Sequence, residues 1–241
     1  MLDILYYILI GLGIFVFLVL LTILAFYMYL KLLKNKYKNL PYNDPKLRRI
    51  VKFVSRLFVR ATRLKYKLVG GEKVPKDNFL FYGNHQSGVD PFILLSEFGD
   101  RDLGGLAKEE LKKVPIVKDW LGIRGILPLN RHNARKGAET MVEVIKRAKD
   151  GQPMFVFPEG TRSKTGDLLD FKPGAFKLAL KSKKDIYPFV MNGLNKHRFY
   201  HIKRSKCEVE ILDPITYDEY SDMSTKELSN LVRSRIKENL G

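Results

Sequence analysis

A chain of 241 residues, 45% of them hydrophobic, is long enough for one α/β domain with a sizeable core plus an appendage. Its single cysteine, Cys207, excludes an internal disulfide and suits a reducing compartment. The net charge of +17 is concentrated near one end of the chain rather than spread along it. From Ile4 to Leu30 no side chain is charged, and a helix of that length reaches about 40 Å, against ~30 Å for the hydrocarbon core of a bilayer. The apolar residues run right round the helical wheel, which favours a membrane over a buried core position. The run is too long for a cleaved signal peptide, and no basic region precedes it.

From Lys31 to Lys65 there are twelve Lys or Arg against one acid, Asp44. Basic residues beside an apolar helix favour the cytoplasmic side and attract anionic lipid, so the main body is expected at the cytoplasmic face of the membrane. Residues 35–45 read as a break. Helical periodicity then resumes over residues 46–65: Leu47, Ile50, Val51, Val54, Leu57, Phe58, Ala61 and Leu64 form one stripe, with Arg48, Lys52, Arg56, Arg60 and Arg63 largely outside it. A basic amphipathic helix of this kind either lies in the membrane interface or packs on the domain, and the pattern leaves both open. The expectation is a membrane-anchoring helix pair over residues 1–65, with a spanning helix and a hairpin in one leaflet both possible, followed by an α/β domain over residues 66–241.

Beyond Val69 short apolar runs alternate with helical stretches, the signature of an α/β fold, here a mixed sheet flanked by helices. Strands are predicted at 79–82, 103–107, 125–129, 154–157, 186–190 and 207–212. Helices are predicted at 91–98, 108–114, 134–149, 174–182 and 225–239. Ala134, Ala138, Met141, Val142, Ile145 and Ala148 fall on one face, and Ser224 with Glu227 has the spacing of a capping box. Cys207 alternates with Val209 and Ile211 and reads as a small core hydrophobe rather than a nucleophile.

Two stretches carry chemistry. Asn84-His85-Gln86-Ser87-Gly88-Val89-Asp90 follows the run Phe79 to Tyr82, at the strand end where open α/β sheets bind ligands. On an unbroken helix His85 and Asp90 would point about 140° apart, so they can pair only if the chain turns between them. Gly88 permits that turn, and Asp90 before Pro91 is expected to cap the next helix. An imidazole paired in this way can take a proton from a hydroxyl, although on spacing alone a turn histidine beside a capping aspartate is the more common occurrence. The second stretch, Phe157-Pro158-Glu159-Gly160-Thr161-Arg162, puts backbone N–H groups, a hydroxyl and a guanidinium on one glycine turn; the combination suits a grip on phosphate, although alone it reads more readily as a surface turn with a solvated arginine. Arg131 follows the run that ends at Leu129, at the same predicted sheet end.

These segments, together with Ile186-Tyr187-Pro188-Phe189-Val190, resemble in order and spacing the four motifs of the glycerolipid acyltransferases, above all the bacterial 1-acyl-glycerol-3-phosphate acyltransferases. The likeness covers roughly residues 66–212. Lys108 resembles a lysine this family often carries between its first two motifs, while Asn130 stands where the second motif usually has an acid. The resemblance implies that His85 is the general base for an acceptor hydroxyl attacking an acyl thioester, with Asp90 holding its tautomer. It implies that Arg131, Glu159, Gly160, Thr161, Arg162 and Lys108 build the phosphate site, and that Pro188 shapes the acyl or acceptor site. Ser87 as nucleophile is set aside because the Gly-x-Ser-x-Gly elbow is absent.

The expected partners are a phospholipid membrane, lysophosphatidate, and acyl-CoA or acyl carrier protein as co-substrate. No other cofactor, no metal and no nucleic acid are expected, since no Cys/His cluster and no Walker or Rossmann loop is present. Two alternatives stand beside this reading: acylation of glycerol-3-phosphate or another lysophospholipid, and a non-catalytic basic protein that binds anionic lipid or nucleic acid by charge.

Overall fold

The computed structural model describes residues 2–37, 44–113, 118, 121, 126–195 and 205–240. The first helix, α1 (Leu2–Tyr37), keeps its large apolar side chains exposed. Its segment Ile4–Tyr29 is long and apolar enough to cross a membrane. The expected break begins later than residue 35, because α1 continues to Tyr37; residues 38–43 lie outside the described ones.

The second helix, α2 (Pro45–Ala61), begins where the Asp44 carboxylate accepts the Lys46 N–H at 2.8 Å, with proline in the first turn. Much of its predicted stripe packs inward, together with Val59 from outside it, while Leu57 and Ala61 of the stripe are exposed. Leu47, Val51, Val54 and Val59 are buried in the domain core, packed against α3 (Asp90–Phe98). The anchoring pair is therefore corrected to one long apolar helix. The amphipathic pattern was real, but an apolar face suits a protein partner as well as a bilayer, and α3 supplies one. On its outer side α2 still exposes Phe53 and Leu57.

Where helix was expected to run to residue 65, the chain turns at Arg63 (φ 57°) and enters a strand. That strand, β1 (Leu64–Val69), is the first of seven among the described residues. The others are β2 (Phe79–Gly83), β3 (Gly104–Lys108), β4 (Leu127–Leu129), β5 (Met154–Val156), β6 (Asp185–Asn192) and β7 (Ser205–Ile211). They form one sheet in the order β1-β7-β6-β2-β5-β3-β4, parallel except for the β6–β7 pair. The sheet is thus mixed, as expected.

Alternate residues of β2 serve opposite faces, as strand geometry requires. Phe79 and Phe81 join α2 and α3 in one core cluster. Leu80 and Tyr82 join the other cluster with α4 (Ala134–Lys149), α5 (Lys177–Ser182) and α7 (Thr225–Glu238). The Ser224–Glu227 capping box forms as predicted, and a second box, Thr216 with Glu219, starts the short helix α6 (Tyr217–Tyr220). Two predicted helices are shorter than expected. Lys108 closes β3 and Glu109–Lys113 is a single 3₁₀ turn, while Pro173–Phe176 is a 3₁₀ turn that leads into α5. Residue 114 and the predicted strand start at 125 fall outside the described residues. Cys207 is half-buried against the first cluster, and burial pushes its thiol up to about 12, so it stays protonated.

Candidate active site

Because β2, β3, β4, β5 and β6 run parallel, their carboxyl ends share one edge of the sheet. β2 delivers Asn84 to Asp90 there, β5 delivers Phe157 to Arg162, β3 ends at Lys108, and β4 leads to Arg131. Gly83, the last residue of β2, has no side chain because the Phe189 ring occupies its place, 2.2 Å from where a Cβ would stand.

The chain does turn between His85 and Asp90: the Asp90 N–H bonds back to the Ser87 carbonyl at 3.3 Å. Asp90 is not the helix cap, which is Val89; it is the first residue of α3, and its side chain turns back over the loop. There its Oδ2 accepts three bonds, from His85 Nδ1 at 2.8 Å, Gln86 N–H at 2.7 Å and Ser87 N–H at 2.9 Å. Asp90 is fully buried, whereas the His85 side chain is 18% exposed. Three donors offset the cost of burying the carboxylate. A carboxylate can only accept, so Nδ1 carries a proton, and in the neutral tautomer this bond selects, Nε2 keeps its lone pair. The Phe157 ring stacks on the imidazole, 4.2 Å between centroids and 21° between planes, a face that attracts a cation once the imidazole is protonated.

The loop holding His85 is tied down at both of its backbone groups. Its N–H donates to Glu159 Oε1 at 2.8 Å, and its carbonyl accepts from Ser163 N–H at 2.8 Å. Glu159 is buried, and burial pushes its carboxyl up to about 7 against the pull of the His85 N–H. The structure therefore places Glu159 as a strut between two loops, not on the exposed side with the basic residues. Asn84 and Gln86 make two further ties. Asn84 exchanges bonds with Met191, donating to its carbonyl at 2.9 Å and accepting its N–H at 2.7 Å, and Gln86 Oε1 accepts the Leu194 N–H at 2.9 Å. The N–H groups of His85, Gln86 and Ser87 are all committed to carboxylates, so none of the three is free to donate to an oxyanion.

The remaining predicted residues, Pro188 apart, gather on the outer side. Arg131 Nη1 donates to the Gly160 carbonyl. Gly160 has φ +72°, a left-handed turn that glycine adopts without strain. Thr161 and Arg162 are exposed on that turn. Lys108 Nζ lies 3.7 Å from Glu110 Oε1, which also faces His132 Nε2 at 3.4 Å. Asn130 accepts the N–H groups of His132 and Asn133 and so steers the chain from Arg131 into α4. Pro188 sits buried within β6 opposite Tyr82, and its carbonyl accepts the Leu212 N–H at 2.8 Å. Sequence reasoning missed the stacking of Phe157 and the approach of Lys172 to the Gly160 turn, because both depend on folded proximity. Among the described residues no group of three or more His, Cys, Asp or Glu could hold a metal ion.

The family model described as Acyltransferase matches residues 65–192, from β1 through β6. The chain belongs to this acyltransferase family. It is 30% identical over 181 residues to the 1-acyl-sn-glycerol-3-phosphate acyltransferase of Borreliella burgdorferi, covering 73% of this chain and 72% of that protein. The probable 1-acyl-sn-glycerol-3-phosphate acyltransferase of Mycoplasma genitalium is 30% identical over 85% of this chain and 82% of its own length. Among solved structures, the 1-acyl-sn-glycerophosphate acyltransferase PlsC of Thermotoga maritima superposes with a TM-score of 0.67 at 25% identity, covering 90% of this chain and 93% of that one. The matched family region of this acyltransferase contains His85, Asp90, Arg131 and the Glu159–Arg162 turn.

Proposed function

We propose that this acyltransferase moves an acyl group from an acyl thioester to the sn-2 hydroxyl of 1-acyl-glycerol-3-phosphate, giving phosphatidate at the cytoplasmic face of the membrane. The observation that carries the reading is the 2.8 Å bond from His85 Nδ1 to a fully buried Asp90 at the sheet edge that also holds Arg131 and the Gly160 turn. In this scheme Nε2 of His85 takes the hydroxyl proton as the oxygen attacks the thioester carbonyl. The new C–O bond forms, the C–S bond breaks through a tetrahedral intermediate, and the proton goes on to the departing thiolate. Asp90 stabilises the imidazolium in between. A thioester is already activated, so neither a covalent enzyme intermediate nor a further cofactor is needed, and either coenzyme A or acyl carrier protein can be the carrier. Arg131, Arg162 and Lys108 would hold the acceptor phosphate. The apolar α1 and the basic residues that follow it would keep the site where lysolipid and product reside.

The test is an assay of the purified full-length protein in detergent, with lysophosphatidate and each thioester donor, following phosphatidate. Wild type is expected to form phosphatidate, and His85→Ala to lose at least ~10² of that rate. Unchanged turnover by His85→Ala would reject the base assignment. Wild-type protein that acylates only a phosphate-free alcohol would reject the acceptor.

A further inference from the structure

The turn at Gly160 carries a cation to which the acyl-transfer scheme gives no role. Lys172 lies beyond the motif in sequence, but its backbone is fastened to it: the Lys172 N–H donates to the Pro158 carbonyl at 2.9 Å, and the Lys172 carbonyl accepts the Ala175 N–H at 2.9 Å. Phe171 beside it is buried, stacked near Phe176. With its main chain anchored on both sides, the side chain of Lys172 crosses the turn. A Cβ at residue 160 would stand 3.2 Å from Lys172 Nζ and 3.3 Å from Arg131 Nη1. The two nitrogens are therefore no more than about 6.5 Å apart, the sum of those distances. Two cations brought together over a bare glycine repel each other unless an anion lies between them. Lys108 and His132 have Glu110 nearby, but among the described residues no carboxylate pairs with Lys172. The exposed guanidinium of Arg162 belongs to the same turn.

We infer that Lys172 is a specificity-determining residue that supplies the second cation to a dianionic phosphomonoester gripped by Arg131, and so selects such acceptors over singly charged phosphodiester headgroups. A phosphomonoester carries about −1.5 to −2 at neutral pH and offers three acceptor oxygens, whereas a diester carries one charge and offers two. Arginine suits a planar two-point grip, and a lysine adds a compact point charge at the remaining oxygen. Glycine at residue 160 leaves the room in which both cations meet the ligand. This inference deepens the proposed function and rests on its placing of the acceptor phosphate at the Gly160 turn.

Equilibrium binding to the detergent-solubilised full chain tests it without requiring turnover. The probes are a short-chain 1-acyl-glycerol-3-phosphate and its phosphate methyl ester, measured with wild type, Lys172→Met, Lys172→Arg and Lys226→Met, the last a loss of charge at an exposed position of α7. Lys172→Met is expected to weaken binding of the phosphomonoester about tenfold and of the methyl ester about threefold or less, with Lys172→Arg recovering most of the loss and Lys226→Met behaving as wild type. Equal weakening for both probes, or no weakening, would overturn the role of Lys172, as would the same loss in Lys226→Met. Turnover measured on the same samples separates the two claims. Wild-type protein that binds the phosphomonoester selectively but does not acylate it would sink the enzymatic reading and leave the selectivity of Lys172 standing.

Discussion

Asp90→Asn is the substitution that asks most of the proposed mechanism while disturbing least of the fold. The side chain keeps its shape, and an amide oxygen in the place of Oδ2 still accepts from His85 Nδ1, Gln86 N–H and Ser87 N–H. The amide nitrogen then occupies the place of Oδ1, which is buried and has no hydrogen-bond partner among the described residues. One unsatisfied donor there costs about 1–3 kcal/mol of stability, partly offset because a charge need no longer be buried. The substitution removes the negative charge beside the imidazolium that forms when His85 takes a proton. With charge centres roughly 4 Å apart and an effective dielectric constant of ~20, that attraction is worth about 4 kcal/mol. At ~1.36 kcal/mol per decade this is about 10³ in rate. Solvent relieves little of it, since Asp90 is wholly buried and His85 is only 18% exposed. The assay is steady-state acyl transfer with the acceptor varied, alongside a thermal melt. The loss should fall in kcat, with the KM for lysophosphatidate nearly unchanged. A folded Asp90→Asn enzyme within tenfold of the wild-type kcat would refute the argument that the transition state depends on this charge.

Two other outcomes are expected. The Glu159 carboxyl, pushed from its ordinary 4.5 up to about 7, holds a proton in the folded state between those values that the unfolded chain has released. Stability should therefore fall as pH rises from about 4.5 to about 7, by about 3 kcal/mol in total, and then level off. Glu159→Gln, whose amide oxygen can still accept the His85 N–H, should flatten that slope in melts taken between pH 5 and 8; an unchanged slope would place the titration elsewhere. Removing residues 1–43 should leave a cooperatively folding domain that no longer fractionates with membranes after a high-salt wash. Removing residues 1–65 should instead give aggregated protein, because it strips Leu47, Val51, Val54, Val59 and Leu64 from the core. Two soluble products with equal melting temperatures would contradict the packing of α2.

The parts of this molecule that could be read from sequence are those whose causes are local. The extent of α4 was legible at both ends, because Asn133 caps the helix by accepting the Lys136 N–H and the apolar stripe runs its full length. The turn from His85 to Asp90 was legible for a similar reason, with Gly88 and Pro91 constraining the chain within one loop. β1 was hidden because Leu64 continues the spacing of the helical stripe, and the residue that breaks the helix, Arg63 at φ 57°, is not a glycine and leaves no mark in the sequence. The Thr216–Glu219 capping box that starts α6 was visible but unsupported by any long apolar stripe. Asp90 was placed one position out at the helix start, since the competition between capping the helix and capping the imidazole is settled only by where His85 lies. Lys172 could not be connected to Gly160 at all, because the link is a backbone bond to Pro158 made after folding.

The arrangement of polar groups around His85 shows why the site is built from buried ties and exposed cations. Loops at strand ends are mobile unless something holds them, and misplacing a general base by about 1 Å can cost ~10² in rate. Five parallel strands bring their loops to one edge, but the sheet fixes only the strand ends and leaves the loops beyond them free to move. The bonds of Asn84 to Met191, Gln86 to Leu194, and His85 to Glu159 and Ser163 cross from the β2 loop to β6 and to the loops after β5 and β6, and so carry the order of the sheet outward to the imidazole. Groups that only position can be buried, because they never leave. Groups proposed to grip a headgroup must release product, so Arg131, Arg162, Lys108 and Lys172 stay exposed. On this argument Glu159 belongs with the ties despite its place in the motif proposed to grip phosphate, since a carboxylate on the exposed side would repel an anionic headgroup.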